Sequence, residues 1–225
     1  MAGHMELVTM ALLALAATQQ PALQARFIGN SGFEITDGTA TILIDFPYRS
    51  GAFGYMSFPA AEIHERPGSL CLFTHSHADH FDSKAIGEVG CSVAGTQEVL
   101  SAVPESARAG PGPTWSFRGA EIRCVPTQHT VEHCSYFVRW HGVSFFISGD
   151  IEDLSPLAGW PEDLDAAFLA SWLLPELERQ RPSGFSARIV VHHHTADEKL
   201  RPCDSCLVPT QGGRFDLEAV NGGTR

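Results

Sequence analysis

Short apolar runs separated by turn residues make up most of the chain after residue 25. The runs are rich in Val, Ile and Phe, which favours β-strands over helices. Asp37-Gly38 and His141-Gly142 each stand between two neighbouring runs, as the tight turns of β-hairpins do. The predicted strands cover residues 26–28, 32–36, 41–44, 70–73, 92–94, 121–125, 135–140, 144–147, 166–170 and 188–191.

Helical segments are fewer. We predict helices over residues 83–89, 96–102 and 173–181, and a short one over residues 59–65. Asp82 is a favourable N-cap for the first of them. The turn-rich residues 110–113 lie near the middle of the chain and indicate a division into two similar halves. Several strands followed by one or two helices, twice over, favour sheets packed together with helices outside.

The composition supports one sizeable hydrophobic core. The chain has 225 residues, of which 44% are hydrophobic and 18% are charged. We therefore expect a single domain over residues 26–225, preceded by an N-terminal segment of residues 1–25. No internal repeat is visible, and no apolar run reaches the length of a membrane span.

The N-terminal segment allows two interpretations. Residues 1–5 (MAGHM) resemble a cloning scar, which would make Met5 the natural start. The apolar residues 7–17 fit the core of a signal peptide or an amphipathic helix equally well, since Glu6 stands where a signal core is normally preceded by positive charge. The sequence thus leaves both a cytoplasmic and an exported location open.

The charge balance disfavours a nucleic-acid partner. The formal net charge is -11, with 15 Lys and Arg residues against 26 Asp and Glu residues, and no basic cluster is visible. Such a surface repels a phosphate backbone. We expect a small-molecule substrate, with neither a nucleic acid nor a membrane as partner, and bound cations that offset part of the acidity.

The six cysteines give weak signals. Four of them lie in apolar runs and are expected to be small buried hydrophobic residues: Cys71, Cys91, Cys124 and Cys134. Cys203 and Cys206 form a C-x-x-C, but a structural zinc site usually needs a second pair. Both a disulfide and two free thiols fit this last pair.

Residues able to bind a metal follow several of the predicted strands. If these strands run in compatible directions, their ends gather such residues at one edge of the sheets, where loops commonly carry function. The residues that follow strands in this way are Asp45, His75, His129, Asp150 and the run His192 to His194.

The densest group of such residues lies between residues 74 and 80. Alternate residues of an extended segment project to one side, so His75 and His77 can bind one ion. Asp79 and His80 follow where the loop turns and can reach a second ion close by. Histidine and aspartate suit zinc well, and they also bind manganese or iron.

This segment resembles the H-x-H-x-D-H signature of the metallo-β-lactamase-fold hydrolases. A later lone histidine, an aspartate after a Ser-Gly turn and a terminal histidine after a strand follow the same order, over residues 26–196. The G-N-S-G-F of residues 29–33 and the I-L-I-D of residues 42–45 are similar to the short lactonase-like members. The resemblance implies an α/β fold, the αββα sandwich, in which two mixed β-sheets pack face to face with helices outside.

The resemblance also implies a site for two divalent metal ions, with zinc favoured and manganese or iron as alternatives. Asp150 would bridge the two ions, and Asp45 would orient a ligand without being one. The implied ligands of the first ion are His75, His77 and His129, and those of the second are Asp79, His80 and one histidine of residues 192–194.

Two of these assignments are choices between neighbours. His129 is preferred to His133 because it comes first after the strand and so lies nearer the expected edge. Within residues 192–194 we predict His193, by aligning the preceding apolar residues with the family pattern.

The expected activity is hydrolysis. A metal-bound water, its pKa lowered to about 7 from about 15.7, would attack a small ester, lactone or amide. Asp79 would orient this nucleophile or pass a proton to the leaving group. Phe53 and Tyr55 in the loop after Asp45, together with Trp172, are candidates for the pocket wall or for ordinary packing. Two other functions remain open, which are an iron-containing redox enzyme of the same fold and a non-catalytic metal-binding or ligand-sensing protein.

Overall fold

Two β-sheets form the centre of the molecule. The computed structural model describes residues 22–110, 112–155, 164–180, 186–195, 198, 200 and 206–218. In spatial order the first sheet contains β13 (Arg214–Leu217), β1 (Leu23–Gly29), β2 (Gly32–Thr36), β3 (Thr41–Ile44), β4 (Leu70–Leu72) and β5 (Ser92–Ala94). The second sheet contains β12 (Cys206–Leu207), β11 (Arg188–His192), β10 (Ala166–Ala170), β9 (Val143–Ile147), β8 (His133–Trp140), β7 (Ala120–Thr127) and β6 (Thr114–Phe117). The helices are α1 (Ser83–Val89), α2 (Gln97–Ser101) and α3 (Leu174–Gln180).

Three layers of apolar side chains hold the sheets and helices together. The inner layer joins the two sheets, as where the rings of Phe33 and Phe168 meet edge to face with centroids 4.8 Å apart. One outer layer packs α1 and α2 on the first sheet, and the other packs α3 on the second. Strands β4 and β10 are buried on both faces, which explains their uninterrupted apolar sequences. The αββα sandwich expected from the resemblance is confirmed.

Every strand predicted from the sequence is present, and the structure adds three more. These are β6, β12 and β13, of which β6 and β12 are short edge strands whose residues are at best half-buried. The predicted helix over residues 59–65 is reduced to a single 3-10 turn, Ala60–Glu62. The turn-rich residues 110–113 do separate the two sheets along the chain, because β1 to β5 belong to the first sheet and β6 to β12 to the second. The last strand, β13, returns to the first sheet and pairs with β1.

Strand direction brings the metal-capable residues to one edge. In the first sheet β4 runs parallel to β3, and in the second β10 and β11 run parallel to β9. The C-terminal ends of parallel neighbours lie side by side, so the residues that follow them meet. The main chain also joins the two sheets here, because the amide of Cys134 donates to the carbonyl of Thr74 at 2.9 Å.

The four cysteines of the apolar runs form two disulfides, which the expectation of small buried hydrophobic residues did not include. Cys71 on β4 is bonded to Cys91 just before β5, and Cys124 on β7 is bonded to Cys134 on β8. The paired Cα atoms are 5.8 and 5.7 Å apart, distances that neighbouring strands supply. The sequence lacked this information because it does not show which strands lie side by side.

Other sequence predictions concern residues outside the described ranges. Residues 7–17 and Cys203 belong to this group, while Cys206 is disulfide-bonded. Within the ranges given above, no helix combines the length and apolar character needed to cross a bilayer.

The disulfide between Cys71 and Cys91 should contribute measurably to stability. It closes a loop with a sequence separation of 20, and replacing both cysteines by Ala should lower the free energy of unfolding by about 3 kcal/mol. Urea unfolding followed by tryptophan fluorescence would measure the loss. Reducing the wild-type protein with dithiothreitol keeps the cysteine side chains but also opens the bond between Cys124 and Cys134, and should lower the stability at least as much. An unchanged urea midpoint in both experiments would contradict the prediction.

Candidate metal centre

Three imidazoles converge at the end of β4. The Nδ1 atom of His77 lies 3.1 Å from Nε2 of His75 and 3.3 Å from Nε2 of His129. Ligands at zinc–nitrogen distances of 2.0–2.1 Å in tetrahedral geometry stand about 3.3 Å apart, so this spacing fits one shared ion. Burial and the neighbouring His80 lower the pKa of His75, and burial also lowers that of His129. Neutral rings with free lone pairs result, which is the form that binds metals.

A second group lies next to the first, with the rings of His75 and His80 only 4.0 Å apart. Oδ2 of Asp150 lies 3.2 Å from Nε2 of His80, and Oδ1 of Asp150 lies 3.3 Å from Nε2 of His194. Asp79 completes the group through a 2.8 Å contact between its Oδ2 and Nδ1 of His194. Together these four residues offer donor atoms that all lie within 4.8 Å of one another.

The histidine in this group is His194, which corrects the prediction of His193. The ring of His193 packs on Phe27, with centroids 5.2 Å apart, and its Nδ1 lies 3.2 Å from the carbonyl of Thr195. In an extended segment His192 and His194 project to one side and His193 to the other. Alignment of the apolar residues that precede this run therefore places the predicted histidine one position too early in the chain.

Several polar atoms of the centre are buried without a hydrogen-bond partner among the described residues. They include Nε2 of His80, Nε2 of His194 and Oδ1 of Asp150. Unpaired buried polar atoms are costly, and each normally has an explanation such as an ion. Burial opposes ionisation of Asp150, but the charge of His80 and the nearby imidazoles of His192 and His194 hold its pKa well below the usual range. A cluster of imidazoles and carboxylates of this kind, once the imidazoles give up a proton, is able to hold a metal.

The carboxylate of Asp45 supports both donor groups through hydrogen bonds to Thr74 and His80. Its Oδ1 accepts the backbone N–H of Thr74 at 2.7 Å, and its Oδ2 accepts the Thr74 hydroxyl at 2.9 Å and the Nδ1–H of His80 at 2.8 Å. Asp45 is fully buried and has φ of 44°, a left-handed conformation that turns the chain directly after β3. Asp45 thus lies behind both donor groups, in direct contact with Thr74 and His80.

These hydrogen bonds select the tautomers of two histidines. His80 gives its Nδ1 proton to Asp45, so its Nε2 lone pair faces the second group. Since the Thr74 hydroxyl donates to Asp45, it accepts from Nδ1 of His75 at 3.0 Å, and the Nε2 lone pair of His75 faces the first group. One carboxylate thus orients a potential ligand in each group.

No family model matches the sequence. A UPF0173 metal-dependent hydrolase of Thermus thermophilus is 34% identical over 113 residues, which cover 48% of this chain and 48% of that protein. The chain therefore spans about half the length of the curated relatives it matches, which come from two strains of this organism.

Solved structures extend the likeness over most of the chain. A metallo hydrolase from Ignicoccus hospitalis has a TM-score of 0.67 at 14% identity, covering 88% of this chain and 99% of that one. The metallo-β-lactamase fold protein YhfI from Bacillus subtilis has a TM-score of 0.61 at 13% identity, with 87% and 99% covered. CmlA, a diiron β-hydroxylase from Streptomyces venezuelae, has a TM-score of 0.51 at 16% identity, with 78% and 45% covered.

The chain has the metallo-β-lactamase fold.

His133, the alternative to His129 in the sequence-based assignment, makes different contacts in this fold. Its Nε2 accepts the backbone N–H of Asp150 at 3.0 Å, and its Nδ1 lies 2.6 Å from the hydroxyl of Thr127. The lone pair of His133 is therefore used in positioning Asp150. Gly149 makes this approach feasible, since it has φ of 55° and a Cβ there would lie 2.5 Å from Nε2 of His133.

Asn30 is a supporting residue that the sequence analysis did not identify. Its side-chain oxygen accepts the amide of Met56 at 3.0 Å, and its Nδ2 donates to the carbonyl of Asp79 at 3.3 Å. The amide of Met56 also lies 3.1 Å from the carbonyl of His194. Asn30 is fully buried with φ of 53°, and the only signal for it was its place in the G-N-S-G-F segment.

Aromatic side chains stand at the rim of the site. Trp172 is 45% exposed, and its ring lies 5.6 Å from that of His194. Of the two roles considered from the sequence, lining the pocket and packing in the core, this position fits the first. Phe53 is 78% exposed and lies edge-on to Tyr55. Burial raises the pKa of Tyr55, and the charges of Asp79 and Asp150 raise it further. These rings can line the approach to the site.

Replacing Asp45 by Asn should weaken binding of both metal ions by about 10- to 100-fold. One amide oxygen cannot accept three donors, and the amide NH₂ would face donors instead. Zn²⁺ titration in competition with a chromophoric chelator measures the two affinities. Asp216→Asn removes an exposed carboxylate on β13 and should leave both unchanged. Wild-type affinity in Asp45→Asn would refute the supporting role.

Replacing Thr74 by Val tests the indirect link to His75. The change keeps the shape of the side chain but removes the hydroxyl between Asp45 and Nδ1 of His75. The first ion should bind about 10-fold more weakly, while the second, whose His80 contacts Asp45 directly, changes less. The same chelator competition measures both affinities. An equal loss of affinity at both sites would contradict the indirect link from Asp45 through Thr74 to His75.

Proposed function

We propose that the protein is a metal-dependent hydrolase that binds two divalent metal ions and cleaves a small ester, lactone or amide. Zinc is the preferred metal and manganese the alternative. The observation that carries this proposal is the pair of adjacent donor groups of histidine and aspartate. In the second group, buried atoms of His80, Asp150 and His194 have no hydrogen-bond partner in the described residues. The likeness to proteins named as metal-dependent hydrolases supports it.

Each group would hold one ion. Asp150 would be shared between them, as the resemblance implies, since its oxygens contact the second group, whose His80 ring lies 4.0 Å from the His75 ring of the first. The first ion would be held by His75, His77 and His129, and the second by Asp79, His80, Asp150 and His194. The first group contains only imidazoles and the second contains two carboxylates, so a carboxylate shared between the ions would distribute its negative charge over both.

Bound ions would supply a nucleophilic water with a pKa of about 7 and polarise the oxygen of the scissile bond. Asp79 is the residue of this chain suited to handle the proton. Burial raises its pKa, but the hydrogen bond from His194 and the charge of His80 outweigh burial, so that it is anionic at neutral pH. Its carboxylate would accept the proton of the water and return it to the leaving group.

The rim residues would hold the remainder of the substrate. Trp172 and Phe53 offer exposed apolar rings, and the hydroxyl of Tyr55 can donate a hydrogen bond. A small, partly apolar substrate fits this combination better than a polymer does. The acidic net charge of -11 also disfavours nucleic acid.

An iron-containing redox enzyme is the second candidate. Histidine and carboxylate ligands bind iron as well as zinc, and a diiron β-hydroxylase shares the fold at a TM-score of 0.51. Metal analysis of the protein as isolated separates the two, since iron together with oxygen consumption would favour the redox enzyme. A metal-loaded protein without turnover on esters, lactones, phosphodiesters and β-lactams would instead favour a binding or sensing role.

Adjacent histidines provide a matched test of the second ion. His194→Ala should abolish binding of the second ion. It should also lower turnover by more than the factor of about 10 to 100 that loss of a residue supporting a ligand costs. His193→Ala removes a ring that packs on Phe27 and should keep both ions. Metal content by mass spectrometry and hydrolysis of a lactone and a nitrophenyl ester provide the measurements. Full activity of metal-free protein would refute the proposed function.

A further inference from the structure

His192 is a buried histidine to which the proposed metal site assigns no role. It ends β11, where it pairs with Ala170 of β10, and its side chain is 2% exposed. Its Nε2 is buried and makes no hydrogen bond with any residue that the structure describes. Burying an imidazole nitrogen in this state is unfavourable, so the position needs an explanation beyond packing.

The atom that faces this nitrogen is also unsatisfied. Nε2 of His192 lies 3.7 Å from Oδ1 of Asp150, and this oxygen is buried without a hydrogen bond in the described part of the chain. A shift of under about 1 Å would bring the two atoms to normal hydrogen-bond distance. Two orphan atoms of opposite polarity that face each other are suited to pair.

His192 is less suited to bind the second ion itself. It is absent from the set of Asp79, His80, Asp150 and His194, whose donor atoms lie within 4.8 Å of one another. Four ligands already satisfy the usual tetrahedral preference of zinc. A role through Asp150 therefore fits the geometry better than a fifth bond.

We propose that His192 is a positioning residue, whose Nε2–H donates to Oδ1 of Asp150 and holds the carboxylate with Oδ2 facing His80. His133 fixes the same residue from the main chain, by accepting the amide N–H of Asp150 at 3.0 Å. Asp150 would then be held at both its backbone and its side chain, which limits its rotation when ions bind. This inference rests on the proposed function, because it assumes that Asp150 is a ligand.

Two amide substitutions test the nitrogen specifically. His192→Gln places an N–H near the position of Nε2, whereas His192→Asn places it near Nδ1 and cannot reach Asp150. We expect His192→Asn to bind the second Zn²⁺ about 10- to 100-fold more weakly, with a smaller loss at the first, which three imidazoles also hold, and His192→Gln to restore most of the loss. Chelator competition measures both affinities, and thermal unfolding of the metal-free variants controls for folding.

Other outcomes would overturn the proposal. Wild-type affinity for the second Zn²⁺ in His192→Asn would make His192 a packing residue only. Equally weakened binding of that ion in both variants, with a changed Co²⁺ absorption spectrum for the second site in the Gln variant, would make it a ligand. Failure of the wild-type protein to bind any Zn²⁺ would refute the proposed function itself, and so differs from either result. His192→Leu, which keeps the volume and removes both nitrogens, gives an independent comparison.

Discussion

The buried carboxylate of Asp45 is the group on which the metal centre depends. A carboxylate without access to water is stable only when donors surround it, and here three donors do so, two from Thr74 and one from His80. The same bonds fix the proton of His80 directly and that of His75 through the Thr74 hydroxyl. If Asp45 were displaced, the lone pairs of these two rings would no longer be set to face the two donor groups.

The fold places Asp45 at this point through strand direction. Strands β3 and β4 are parallel, so Asp45 and Thr74 leave the first sheet side by side, and β9 to β11 bring Asp150 and His194 to the same edge from the second. Contacts distant in sequence then hold the loops. Asn30 joins Met56 to the Asp79 loop, and Ser76 donates to Glu98 at 2.7 Å, which connects the His77 loop to α2. The site is thus built on rigid elements, as precise ligand geometry requires.

The electrostatics of the centre follow from burial. Imidazoles taken out of water lose protons, as shown by the lowered pKa values of His75, His129 and His133, the last to about 3. Where carboxylates are near, the balance reverses, and the pKa of His194 rises to about 9 although burial opposes it. Protons held by His80 and His194 thus compensate the negative charge of Asp79 and Asp150. Divalent cations that displace these protons would provide that compensation and would satisfy the unpaired atoms at the same time.

The sequence by itself was sufficient for the features that local patterns control. Apolar runs predicted the central strands, and the spacing of His75, His77, Asp79 and His80 predicted two adjacent donor groups, which the structure brings together. The tertiary structure alone decided the choice of His194 over His193, the two disulfides, and the supporting contacts of Asn30 and His133. The physical reason is that alternation along a strand sets which residues share a side, whereas the side that faces the site depends on how the chain bends after the strand ends. Strand neighbours and loop contacts likewise join residues far apart in sequence, and no local spacing records them.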